Sequence, residues 1–412
     1  MKKGNTNKIG VQEKRFATPE NTGDHVGAII IEGYFQGLGL LRSLGRQNIP
    51  TYLLDTGQCI ARYSRYTDRF ATCPDVKDES VFLQFLIDLA EKENLKGWVI
   101  YPNDDETVYF LAKHKEQLEE YYRITTPPWD IVKYAYDKIL TYELAKKCGI
   151  PIPDTYYPKS IEEVQQLDIE FPAIIKPSVK VPFYNRTKKK AIRVMDKRDL
   201  IDKYTRAVIA LDESQILMVQ ELIPGRTQGL FSVGSLCRDG ELLGRVVVQR
   251  PRQHPMDFGH ATTYAVTVDI PELEEMTKKI LAEMGYYGLS EVEFMLDQRD
   301  GKYKLLEINA RAWGWHTIAI GAGVDLPYLS YLDILGEKVK QDGFAREVKW
   351  IRLATDFPTA LIEVLAGRMK FSEYLSSFKG KKEFAVTSFE DPLPFIAELV
   401  MLPFLLKRKG FW

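Results

Sequence analysis

The chain has 412 residues, 45% of them hydrophobic, and its 56 basic and 57 acidic side chains leave a formal net charge of −1. That much apolar material supports a well-cored globular protein of two or three domains, and the balanced charge argues against a protein that finds nucleic acid by bulk electrostatic attraction. Fibrous, disordered and strongly cationic classes are excluded on the same grounds. No charge-free apolar stretch of about 20 residues occurs and residues 1–24 are polar, so neither a spanning helix nor export is expected, and the setting is read as cytoplasmic. Cys59, Cys73, Cys148 and Cys237 lie far apart with no metal-type pairing, which suits a reducing environment.

After a flexible arm at 1–24, an apolar run from Val26 leads into Gly33, Gly37 and Gly39 and then a periodic stretch to Leu44, the pattern of strand, glycine turn and helix. β-rich runs at 51–55 and 98–101 alternate with helical patterns at 79–93 and 104–121, as in a parallel α/β sheet. The glycine spacing is not that of a dinucleotide-binding turn, and a close backbone crossing explains it more simply. Beyond Pro127 and Pro128 a helix is expected from about Asp137, closed by Gly149 and Pro151, and Ser160 with Glu163 has capping-box spacing. The pattern then turns mainly β, with runs at 173–176, 191–195, 216–222, 230–236, 245–250 and 262–268, an Asp239-Gly240 hairpin signal, a helix at 271–284 and strands at 289–296 and 303–310. This second part is α+β with antiparallel sheet.

The densest set of chemical groups lies on the last two runs. Alternate residues of a strand share a face, which groups Glu291 with Glu293 and Glu307 with Asn309 and Arg311. A three-residue loop 299–301, with Gly301 in the left-handed position, would set Glu293 opposite Glu307 and Glu291 opposite Asn309. A two-residue turn at Asp300-Gly301 would instead face Glu293 with Ile308 and dissolve the set; the three-residue loop is the expectation adopted. In that register the two glutamates approach within roughly 5 Å at Cβ, where like charges repel unless a cation intervenes. A hard ion such as Mg²⁺ fits two carboxylates with phosphate oxygens, Asn309 adding an oxygen and Arg311 meeting the phosphate; a solvated charged hairpin is the alternative.

Lys176, ending an apolar run at Pro177, and Lys138, opening its helix, are candidate phosphate contacts, with ordinary solvated lysines as the alternative. Between Lys176 and Ala191 the basic segment Lys180, Arg186, Lys188, Lys189 and Lys190 reads as a solvated charge run that could close over phosphates. Gln220, Glu221 and Ile223 run into a Pro224-Gly225 stop, where a free backbone edge can read a flat base.

Taken together these residues resemble the ATP-grasp superfamily, and within it the carboxylate-amine ligase branch, over about 26–336. Lys138 with the Gly149 to Pro153 turn looks like the family's first ATP lysine and Lys176 like the second. Gln220, Glu221 and Ile223 look like its adenine hinge, and Glu293, Glu307 and Asn309 like its metal ligands. Arg311 looks like its phosphate-facing arginine, and Gln228 stands where a ribose-binding acid is usual. The resemblance implies a pre-ATP-grasp α/β domain at 25–127, a small lobe with linker helix at 128–223, a large lobe with the metal site at 224–340, and a C-terminal extension at 341–412. It implies ATP and Mg²⁺, with Mn²⁺ as a substitute, and ligation of a carboxylate to an amine, an amino acid among the candidates, through an acyl phosphate. A non-catalytic ATP-binding module and a small-molecule kinase are the alternatives. The basic segment departs from the family, which often has glycines there, and so does Glu291, where some ligases have arginine.

For the acceptor pocket, Arg250, Arg252, His254, His260 and Thr263 interrupt the strand pattern, and Arg252 could pair bidentately with a substrate carboxylate. Asn103 to Glu106 could bind an amine, though helix capping explains the acids as well. The apolar stretch 393–406, followed by Lys407, Arg408 and Lys409, is too short to span a bilayer; packing on its own domain or a partner is preferred over membrane-surface contact through 393–409. No nucleic-acid partner is expected, and a homodimer stays open.

Overall fold

The computed structural model describes residues 26–409 apart from 188, 210, 212–215, 258 and 260, so the arm at 1–24, Lys188 and His260 lie outside the described residues. The strands form three sheets. In the first, β1 (Ala28–Ile31), β2 (Thr51–Asp55), β3 (Arg69–Thr72), β4 (Val99–Pro102) and β5 (Arg123–Ile124) run parallel in the order β3-β2-β1-β4-β5. Every β1 side chain is buried, as expected for a strand covered on both faces. Ala28 and Ile30 enter one core with the helix Phe35–Arg46, whereas Ile29 and Ile31 enter another with the helices Glu79–Lys92 and Asp105–Lys113. The helix expected over 104–121 breaks at His114 and resumes as Lys115–Leu118.

A smaller antiparallel sheet follows, with β6 (Thr155–Tyr156), β7 (Ala173–Pro177), β8 (Ile192–Val194) and β9 (Leu217–Glu221) in the order β6-β9-β7-β8. It has its own core, in which Ala173, Ile175, Leu217 and Val219 meet Phe183, Leu200 and Tyr204. The basic segment after Lys176, expected as a solvated run, folds into the helix Lys180–Thr187, whose Phe183 is buried in that core. One apolar anchor thus turns a charged stretch into an ordered wall.

The largest sheet contains β10 (Leu230–Arg238), β11 (Glu241–His254), β12 (Ala261–Thr267), β13 (Gly288–Asp297), β14 (Lys302–Asn309), β15 (Lys349–Ile351) and β16 (Lys382–Phe384). Their order is β14-β13-β10-β11-β12-β15-β16. The Asp239-Gly240 hairpin forms as expected, both residues having positive φ, 51° and 77°, as a tight primed turn requires. β15 and β16 belong to this sheet, so the segment expected as a separate extension after 340 completes the large lobe.

The large sheet and the first domain share one core. Leu38, Leu40, Leu41 and Leu44 pack with Leu236, Val246, Trp313, Trp315 and Trp350. Two glycines permit this approach. A Cβ on Gly39 would come within 2.6 Å of the His316 ring, and one on Gly234 within 1.9 Å of Trp313. The glycine turn expected as a close crossing is therefore a packing device, and Trp313 lies flat against β10 because Gly234 has no side chain. Gly234→Ala should lower stability by about 1–3 kcal/mol through overpacking; an unchanged urea midpoint would contradict this contact.

Candidate active site

A cleft of about 600 Å³ opens between the two antiparallel sheets. Lys138, Lys176, Ile223, Glu293 and Glu307 line it together. Glu293 stands opposite Glu307 and Glu291 opposite Asn309, the expected pairing reached by a different route. Asp297 pairs with Lys302, which makes the connection 298–301, one residue longer than expected, and that ladder alone would face Glu293 with Leu306. A bulge at Leu306 restores the register, and Gly301, at φ 72°, turns the chain by donating its N–H to Asp297 O at 2.8 Å.

The bulge is tied to the opposite lobe through Tyr142, which carries no signal in the sequence. Its hydroxyl donates to Leu306 O at 2.9 Å and accepts from Lys176 Nζ at 2.7 Å and from Gln220 Nε2 at 3.2 Å. Lys176 is buried, and burial lowers its pKa to about 8 against the attraction of Glu307 and Glu293. Lys138 Nζ lies 3.2 Å from Glu307 Oε2, and its backbone N–H bonds Ser178 O at 3.0 Å, holding the helix start against the end of β7. Burial alone would raise the Glu307 pKa, but Lys138, Lys180 and Lys190 together hold it well below the usual carboxylate range.

Glu293 is held by Arg250 Nη2 and by Asn309 Nδ2 at 3.2 Å from Oε1. Behind it, buried Glu291 accepts from Arg250 Nη1 at 3.3 Å, Asn309 Nδ2 at 3.1 Å and Trp315 Nε1 at 2.8 Å. Burial and then Glu293 push the Glu291 carboxyl upward. Arg250 therefore serves both Glu291 and Glu293. Arg252, expected to receive a substrate carboxylate, is bidentate to Asp356, with Nε to Oδ1 and Nη2 to Oδ2 both at 2.8 Å. Asp356 is fully buried and needs that compensation, which Thr263 Oγ1 supplements at 2.9 Å. His254 meets Thr359 through Nδ1 at 2.7 Å. The expected acceptor pocket is thus partly a structural clamp onto the helix Leu353–Leu365.

At the hinge, Ile223 packs with Leu230 and Met295 in a small apolar cluster facing the cleft. Glu221 uses its carboxylate internally, accepting from Asp154 N at 3.0 Å and from Lys304 Nζ at 2.7 Å, and pairing with Arg299. Gln220 Nε2 also donates to Thr155 Oγ1 at 2.7 Å. Gln228 is exposed and outside the cleft lining, its carbonyl accepting from Gln249 Nε2 at 2.7 Å, so it does not take the ribose-side position expected of it.

Lys180 and Lys190 also line the cleft. Lys190 Nζ donates to Gly259 O at 2.9 Å across the opening, and burial followed by repulsion from Lys180 lowers its pKa to about 8. Lys180 Nζ meets Asp105 Oδ2 at 3.1 Å, and Arg311 Nε meets Asp105 Oδ1 at 2.6 Å. Asp105, expected near a bound amine, is therefore the junction of all three parts of the chain. Its neighbour Asp104 caps the helix through Thr107 N at 2.7 Å, the capping role foreseen for these acids.

Among the described residues no cluster of three or more His, Cys, Asp and Glu surrounds one point, so these residues offer no complete metal cage. Two carboxylates on one face suit an ion that takes its other ligands from phosphate and water. Asn309 turns Oδ1 toward Arg311 Nη2 at 3.4 Å, and turning the amide over would bring that oxygen to the carboxylates. The donor set fits Mg²⁺.

A family model described as ATP-grasp in the biosynthetic pathway with Ter operon matches residues 213–354. D-aspartate ligase from Enterococcus faecium (strain Aus0004) is 22% identical over 263 residues, covering 61% of this chain and 62% of that protein. The L-amino acid ligase from Bacillus licheniformis superposes with a TM-score of 0.59 at 14% identity, over 77% of this chain and 76% of that one. The biotin carboxylase domain of the Hydrogenobacter thermophilus 2-oxoglutarate carboxylase, solved with MgADP and bicarbonate, gives 0.62 at 16% identity, over 79% and 74%. Over 213–354 the chain is thus similar to the ATP-grasp family model, and over about three quarters of its length it shares the fold of these two solved proteins.

Proposed function

We propose that the chain is an ATP-dependent ligase that joins a carboxylate to an amine through an acyl phosphate. The observation that carries this reading is the pair Glu293 and Glu307, facing each other on one strand pair, with Lys138 from the helix Lys138–Lys147 and Lys176 from the smaller sheet brought to the same cleft. A carboxylate is a poor electrophile until phosphorylation gives it a leaving group. Its oxygen attacks the γ-phosphorus, forming an O–P bond as the bond to ADP breaks. The amine nitrogen then attacks the acyl carbon, the C–N bond forms, and phosphate leaves with the C–O bond pair while the nitrogen loses its proton.

In this reading Lys138 and Lys176 meet the α and β phosphates as point charges, and the Ile223 cluster receives the flat base. Glu293, Glu307 and Asn309 hold Mg²⁺, which when bound with the nucleotide shields phosphate charge and aligns its oxygens. Arg311 steadies the transferred group, and Arg250 is the guanidinium that holds Glu291 and Glu293. Catalysis is then mainly positioning and charge neutralisation. The domain divisions at 127 and 223, Mn²⁺ as a substitute ion, a cytoplasmic setting, amino-acid substrates and a homodimer belong to the same proposal.

ADP release that requires both a carboxylate and an amine is expected; release with the carboxylate alone would mark a kinase instead. Glu307→Gln should cut turnover by on the order of 10²–10³-fold while leaving the melting transition cooperative. A normal rate in Mg²⁺ would refute the metal assignment.

The two lysines with pKa near 8 give the nucleotide step a pH dependence. Both are charged at neutral pH and lose their protons as pH rises through about 8, while a polyphosphate binds the charged forms. ATP affinity should therefore fall above about pH 8 with proton uptake on binding, and Lys176→Arg should flatten the fall. Calorimetry in buffers of different ionisation enthalpy measures this; affinity independent of pH across that range would contradict it.

A further inference from the structure

Most of the large apolar side chains that the fold leaves exposed lie between 357 and 400, on three helices near the C-terminus. The helix Leu353–Leu365 is amphipathic in the inverse sense. Asp356, Thr359 and Glu363 face inward, whereas Phe357 (55% exposed), Leu361, Ile362 and Leu365 (79%) face out. Its polar face is consumed by the chain itself, through Arg252 on Asp356, His254 on Thr359, and Arg226 and Arg368 on Glu363. A surface helix normally turns its apolar stripe to its own core. Here that core is filled with paired polar groups, and the stripe is left exposed among the described residues.

The next two helices repeat the arrangement. In Phe371–Ser376, Tyr374 is buried against Arg252, 5.4 Å from its guanidinium, while Phe371 and Leu375 point out. The rings of Phe357 and Phe371 lie 6.5 and 6.4 Å from that of Tyr374, which makes the two outer faces neighbours. In Leu393–Lys409, Glu398 is buried on Arg352 at 3.2 Å, while Leu393, Ile396, Leu399 and Val400 (76%) are exposed. The tail packs on its own domain through Phe395, Met401 and Glu398, as expected, and leaves its other face exposed.

The exposed charges in this region are mainly of one sign. Lys370, Lys379, Lys381 and Lys382 are exposed, and the sequence continues to Lys407, Arg408 and Lys409. The exposed acids are engaged, Glu373 by the backbone N–H of Lys370 at 3.2 Å and Glu390 by Arg46 at 3.4 Å. A second copy docking face to face would set lysines against lysines. An anionic lipid surface would instead meet apolar side chains at the headgroup boundary and basic ones at its phosphates.

We propose that the helices Leu353–Leu365, Phe371–Ser376 and Leu393–Lys409 seat the protein on an anionic phospholipid surface through their outward apolar faces and flanking lysines. No helix of the described residues is long and apolar enough to cross a membrane, so the seating is peripheral. Arg226 lines the cleft and pairs with Glu363, which sets the inner side of the helix Leu353–Leu365 beside the cleft. The inference is independent of the ligase reading.

Flotation of the full chain with vesicles of phosphatidylcholine, alone or mixed with phosphatidylglycerol, tests it. Binding to the mixed vesicles only, weakened by salt, is expected. Leu365→Asp and Phe371→Asp, at exposed positions and with unchanged melting, should each weaken that binding by about tenfold or more. Absence of flotation with mixed vesicles would overturn the proposal, as would equal, salt-insensitive flotation of the variants. Concentration-dependent dimerisation lost in the same variants, without flotation, would overturn it and give the face to a second copy.

Discussion

The account depends on the pairing of Glu293 with Glu307 across β13 and β14. Two carboxylates opposite one another on one face of a sheet repel at close range, and this chain surrounds them with cations. Arg250 lies behind Glu293, and Lys138 lies across from Glu307. The cost of burying so many charges is offset only if they stay paired. Here Lys176 and Lys190 are held with depressed proton affinity, an arrangement poised for a polyanion that would restore their charge and for a cation that would settle the glutamates.

The surrounding fold holds those charges in place. The first domain and the large lobe share one core, with Trp313 seated where Gly234 leaves room, and together they form a fixed floor. The smaller sheet has a core of its own, while the helix Lys138–Lys147 and Met218 enter the large sheet's apolar core beside Phe231, Val233 and Val247. Polar ties across the cleft are Lys180 to Asp105, Lys190 to Gly259, and Lys176 and Gln220 to the Tyr142 hydroxyl. Such ties can exchange for ligand contacts without unpacking either core. Asp105 joins both lobes from the first domain, so the charge state of the cleft is coupled to all three parts of the molecule.

Much of this was legible in the sequence because it depends on local periodicity. Alternation along 289–296 and 303–310 put the right carboxylates on one face, and Asp239-Gly240 marked its hairpin. The bulge at Leu306 was not legible, since it depends on Tyr142 holding the Leu306 carbonyl from a distant helix. Nor was the fate of Arg252, whose partner Asp356 lies on a helix over a hundred positions later. Gln228 failed because one turn of helix after Gly225 rotates it outward. The inward-facing acids of Leu353–Leu365 likewise become intelligible only beside the arginines that neutralise them.

The most direct test is a crystal of the protein with Mn²⁺ and ADP, read by anomalous scattering at the manganese edge. The account predicts manganese between the carboxylates of Glu293 and Glu307, with the diphosphate reaching the Lys176 ammonium. Manganese bound elsewhere, or a nucleotide lying away from Lys176, would contradict it.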